Sequence, residues 1–168
     1  MSLVSRVVLV LVLAVASARL SSQQAVGISL ANVISPSLSV LCGFDCNNAG
    51  NTGRVIGSTG QTFDVRLFGD ASLPAAVAIG LGPVWMPCPG LVVPGVHNGL
   101  MIDPASLLAT LTTATLNPGS RTCTASGSLN AVSLNIPAAA SGLVLTFQGL
   151  VFDNGTPAFT RPIDMTVR

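Results

Sequence analysis

Apolar and polar residues alternate along much of this chain with a period of two, the spacing that sends successive side chains of a β-strand to opposite faces. In QTFDVRLFG, residues 61–69, Phe63, Val65 and Leu67 share one face while Asp64 and Arg66 share the other. PAAVAIGLG follows and predicts its antiparallel neighbour. GSLNAVSLNIP groups Val132, Leu134 and Ile136, and Pro137 closes that strand because it has no N–H to donate. GLVLTFQGLVFDN continues the alternation, with a bulge expected at Gly149 where the phase changes. RPIDMTVR turns Ile163, Met165 and Val167 to one side. Asn-Gly at 154–155 separates two apolar runs and predicts a tight type I′ hairpin turn, since both residues accept positive φ. Only DPASLLATL predicts helix, a turn or two with Asp103 as cap and Pro104 at the first position.

Short strands punctuated by Gly, Pro and Asn, without interleaved amphipathic helices, predict an all-β protein. The expected architecture is an antiparallel β-sandwich, immunoglobulin-like or Greek-key in wiring, with at most one short helix. That domain should span residues 42–168. Residues 19–41 read as a less regular N-terminal segment, in which AVGISLAN forms an edge strand or one exchanged with a neighbour.

The first residues point to export. MSLVSR carries one positive charge at Arg6, VVLVLVLAV is apolar but too short to span a bilayer, and ASA supplies small residues for cleavage. Residues 1–18 are therefore expected to be a signal peptide, leaving about 150 residues, the size of one ordinary domain. The mature chain should be secreted, extracellular or at the cell surface, with no membrane span. Residues 71–96 lack charge, but Pro74, Pro83, Pro87, Pro89 and Pro94 interrupt them, which a spanning helix does not tolerate.

Composition changes the picture further. The chain has no Lys, Glu or Tyr; its seven cations are all Arg and its six anions all Asp, for a net charge of +1. The arginines are scattered singly, so the cation cluster that a nucleic-acid partner requires is missing from the sequence. With 8% charged residues and 49% hydrophobic ones, the surface offers little electrostatic resistance to self-association.

Four cysteines in an exported chain predict two disulfides. Three pairings are open; the favoured one joins Cys42 to Cys46 around the small loop CGFDC, and Cys88 to Cys123 across distant loops. Zinc is disfavoured, because there is a single His and the spacing is not that of a ribbon.

The C-terminal run LNIPAAASGLVLTFQGLVFDNGTPAFTRPIDMTV resembles the closing segment of a secreted β-sandwich module of planctomycete and related bacterial extracellular proteins. FDVRLFGDASLPAAVAIGLG and the Pro-Cys-Pro-Gly around Cys88 are similar to that family's middle portion, so the resemblance covers roughly residues 40–168. FTRPIDM departs from the family's usual approach to the last strand. The resemblance implies a non-catalytic extracellular module and transfers no active site.

Candidate chemistry is sparse. His97, in PGVHNG, is the one histidine and reads as a solvated loop residue rather than a catalytic base. Asp45, Asp64, Asp70, Asp103, Asp153 and Asp164 are the whole supply of carboxylates for glycosidase-type acid–base work, and they are spread along the chain. Calcium is the better ligand hypothesis, on Asp45, Asn47, Asn48 and Asn51 of DCNNAGN, although that run does not follow the EF-hand pattern. Otherwise no cofactor is expected. Trp85 reads first as a hydrophobic plug under a disulfide and second as a platform for stacking a sugar ring.

The sequence thus points to a non-catalytic secreted or cell-surface structural protein that self-assembles into oligomers or fibres through sheet edges. AVGISLAN and RPIDMTVR are its expected edges, with residues 20–34 at the contact. The alternative is an extracellular glycan-binding or adhesion module, which an exposed Trp85 near Asp or Asn side chains would favour.

Overall fold

A computed structural model describes residues 26–32, 39–43, 52–86, 88–113, 115–116 and 131–168. They form an all-β fold of two main sheets packed face to face. The first sheet contains β1 (Gly27–Asn32), β2 (Ser39–Cys42), β4 (Thr62–Phe68) and β9 (Ala131–Asn135), in the order β2-β1-β4-β9. The second contains β3 (Gly53–Gly57), β5 (Ala75–Leu81), β8 (Leu107–Thr113), β10 (Val144–Asp153), β11 (Thr156–Phe159) and β12 (Ile163–Val167). Its order is β3-β12-β10-β5-β8, with β11 also paired to β10. β2 lies over β3 and β9 over β8, so the two layers close on each other at both sides. A small ribbon of β6 (Leu91–Val92) and β7 (Gly99–Leu100) belongs to the long connection between β5 and β8. Among the described residues no helix is long and apolar enough to cross a membrane.

The period-two pattern builds the core as expected. Phe63, Val65 and Leu67 of β4 face Phe147 and Val151 of β10 and Ile163 and Met165 of β12, in one cluster with Ile28 and Leu30 of β1; all are essentially inaccessible to water. Each such side chain contributes roughly 1.5–3 kcal/mol by leaving water. The Asn154–Gly155 turn is the tight hairpin its sequence predicts. Asn154 has φ 51° and Gly155 φ 75°, and Asp153 pairs directly with Thr156.

Several expectations are corrected. β4 and β5 are not neighbours but lie in opposite sheets, because the chain crosses the sandwich after Phe68. Gly69 sits where a Cβ would meet the Phe152 carbonyl oxygen at 2.8 Å, and the next amide, Asp70 N–H, donates to that same carbonyl at 2.7 Å. This ties the crossing to the end of β10 and rules out a hairpin. Gly149 marks no bulge: the register of β10 on β5 runs unbroken through it. Leu67 and Thr160 occupy the space a side chain would need, at 2.6 and 2.9 Å from an ideal Cβ. The register shift of this sheet lies instead between Ile79 and Gly80, where β8 carries one extra residue. DPASLLATL supplies only a 3₁₀ turn at Pro104–Ser106, capped by Asp103 Oδ1 accepting from Ala105 N–H at 2.9 Å, before Leu107 begins a strand. A second 3₁₀ turn, Ala138–Ala140, was not expected, and β3 pairs parallel to β12 in a sandwich expected to be antiparallel.

Both expected edges are interior. β1 is flanked by β2 and β4, and β12 by β3 and β10, so AVGISLAN and RPIDMTVR offer no free row of backbone groups over their strands. Ile28 and Leu30, like Ile163, Met165 and Val167, belong to the central cluster, which fixes the face each strand buries; its neighbours are set by backbone pairing with distant segments, β2 and β4 for the one and β3 and β10 for the other. The expected signal peptide, residues 1–18, and the rest of the segment up to residue 25 lie outside the described residues.

Candidate functional site

The edges left over are β2 and β9 in one sheet, and β3 and β8 in the other. Of these β8 is among the longest at seven residues, and it has the most exposed surface. Leu107, Leu108, Thr110 and Thr112 are exposed, while Ala109, Leu111 and Thr113 are half-buried. Ala109 and Leu111 pack against the core, opposite Ile79 and Val77 of β5. Threonine's branched Cβ at 110, 112 and 113 holds the segment extended. The extra residue near Leu108 disturbs only the start of the strand, and Ala109–Thr113 pair in regular register with Ala75–Ile79. Among the described residues nothing pairs with the far side of β8, which leaves the backbone groups that can template another strand.

The electrostatic setting is uniform. No charged residue occurs from 71 to 102 or from 104 to 120, so β5, the β6–β7 ribbon and β8 are all uncharged. Of the eight large hydrophobic side chains that stand exposed among the described residues, six belong to this half: Leu81, Trp85, Leu91, Val92, Leu107 and Leu108. Edge strands in water-exposed proteins are usually guarded by lysine, proline or inward charge, and β8 has none of these.

The connection between β5 and β8 folds back over the outer face of the six-stranded sheet. Gln148 of β10 anchors it: its Oε1 accepts from Met101 N–H at 2.8 Å, and its Nε2 donates to the carbonyls of Gly99 and Thr160, both at 3.0 Å. His97 N–H donates to Pro157 O and His97 O accepts from Phe159 N–H, which stitches the connection to β11. Ala76, Ala78 and Gly80 of β5 leave the face low enough for Met101 and Ile102 to be buried against it.

Among the described residues, those singled out from sequence do not converge. His97 is exposed, and its backbone does structural work. Asp64 accepts from Ser133 Oγ at 2.7 Å, Asp70 Oδ2 from Gly155 N–H at 2.8 Å, and Asp103 caps its turn. Asp164 accepts from Val84 N–H at 3.2 Å and lies 2.7 Å from Thr146 Oγ1. No group of three or more metal-ligating side chains exists among the described residues. The calcium candidates Asp45, Asn47, Asn48 and Asn51 lie outside them. Trp85 is 49% exposed, which corrects its reading as a buried plug. Cys42 ends β2 and Cys88 lies in the β5–β8 connection; both are in the disulfide state, and no free cysteine occurs among the described residues. Cys46 and Cys123, on which the pairing depends, lie outside them.

Sequence reasoning missed β8 because Asp103 and Pro104 signalled a helix start. The run LLATLTT carried the contrary signal, in its three threonines and its lack of any strong helix pattern. No family model, characterised protein or solved structure matches the chain.

Proposed function

We propose that this is a non-catalytic extracellular structural protein that associates with copies of itself through the free edge of β8. The observation that carries this reading is an uncharged, exposed edge strand, Leu107–Thr113, closing the segment 75–113, which holds six of the eight large hydrophobic residues exposed among the described residues, Leu107 and Leu108 of the strand included. Two β8 edges brought together antiparallel extend one six-stranded sheet into the next, and a two-fold axis satisfies both with one set of contacts. The described aspartates engaged with backbone or hydroxyl groups, and the scattered placement of His97, support a reading without catalysis. The resemblance of residues 40–168 to a secreted bacterial module supports the extracellular setting, as does the signal-like segment 1–18. The contact thus moves from residues 20–34, the expectation from sequence, to β8.

The test is the oligomeric state of the mature chain by sedimentation velocity, beside Thr110→Lys. The expected result is concentration-dependent association for the native sequence and a monomer of unchanged circular dichroism for the variant. A native protein that stays monomeric at high concentration would overturn the reading.

Glycan binding stands second, on the exposure of Trp85. Asp164, the carboxylate nearest in the hydrogen-bond network, is already engaged by Val84 N–H and Thr146, which leaves the ring without a committed polar partner for a sugar. Quenching of Trp85 fluorescence by oligosaccharides, in a native protein shown to be monomeric, would promote this reading over assembly.

A further inference from the structure

On the outer face of the six-stranded sheet a cavity of about 200 Å³ opens beside the root of β8. Its floor is formed by Ala76 and Ala78 of β5 with Leu150 of β10, and its walls by Ile102, Leu107 and Phe159. The floor is low because β5 places alanine at alternate outward positions where a larger residue would fill the space. It is open to solvent at Leu107, which is 45% exposed.

From this geometry we infer that the cavity is a binding site for a small neutral apolar molecule, a single aromatic ring or a short alkyl chain. The one buried polar side chain lining it, Gln148, has its oxygen committed to Met101 N–H and its amide to the carbonyls of Gly99 and Thr160. A ligand that needs hydrogen bonds would find no free capacity there, and placing its polar groups against alkyl carbon would cost it hydration. An apolar ligand loses nothing and gains contact with a preformed surface. Size sets the upper limit: an apolar cavity of about 150 Å³ stays dry and accepts benzene, so one slightly larger accepts a substituted single ring. The site opens on the sheet's outer face, with side chains of Leu107 and Thr110 at its rim, whereas edge pairing would use the backbone of β8, so binding is read separately from association.

The probe is toluene, titrated up to its aqueous solubility into the isotopically labelled mature protein. Amide shifts should be saturable and confined to residues lining the cavity, with Ala78, Ile102 and Leu107 among them, and the melting temperature should rise with toluene concentration. Ala78→Leu, which raises the floor, should weaken the shifts by at least about tenfold. Thr110→Leu, at an exposed position on the cavity rim, serves the same purpose if Ala78→Leu does not fold. Shifts that are absent, non-saturable or spread over the molecule would overturn the inference, as would full binding by either folded variant.

Discussion

At one edge of the six-stranded sheet β3 presents Arg54, directly opposite Asp164 of β12; at the other, β8 presents threonines and leucines and no charge at all. The inward sides of the two strands follow one rule. Val55 of β3 and Leu111 of β8 both pack into the common core. What differs is the solvent side, where one edge is guarded by an ion and the other is open. Stability and the proposed association therefore rest on different positions of the same sheet, since the core depends on the inward set and edge pairing on the outward set and the backbone.

The largest effect should come from damaging what the edges share. Phe147 of β10 lies between them and is buried to 1% exposure, so Phe147→Ala should lower unfolding free energy by about 3–5 kcal/mol in urea denaturation. Hydrogen exchange should then quicken at β3 and β8 alike; loss confined to one edge would show that the sheet is not one cooperative unit. Gln148→Leu should act on one side only. It leaves Met101 N–H and the Gly99 and Thr160 carbonyls without their partner, at a cost of about 1–3 kcal/mol. Exchange should quicken at Met101 while the β3–β12 amides keep their protection. Asp103→Ala removes the cap of the turn that leads into β8, and should cost about 0.5–1 kcal/mol, measured by the same denaturation. Arg54→Val is expected to shift stability least, within about 0.5 kcal/mol, because the side chain is exposed. It nevertheless sharpens the comparison most. Removing the guard makes β3 resemble β8, so sedimentation should show larger assemblies than the native chain forms. Unchanged size would mean that charge is not what separates the two edges.

Much of the fold was legible in the letters. Phe63, Val65 and Leu67 announced their shared face through period-two spacing alone, and Asn154–Gly155 announced its turn through the positive φ that few other pairs accept. Both signals are local, because they depend on backbone conformation within a few residues. The position of β8 at the end of its sheet was not legible. LLATLTT follows a helix-start signal that turned out to govern only Pro104–Ser106, and nothing within those seven residues says which side will be paired.

By itself, then, the sequence determined the class of structure, the inward-facing residues, the hairpin turn and the lack of charge from 71 to 102 and from 104 to 120. Only the tertiary structure decided that β1 and β12 are interior, that β4 and β5 part to opposite sheets at Gly69, and that the uncharged strand β8 ends its sheet among the described residues. The reason is that alternation states which face of a strand is buried, whereas strand order is set by hydrogen bonds between segments far apart in the chain. Those bonds are made by backbone groups that every residue carries, so the side-chain pattern does not name the partner.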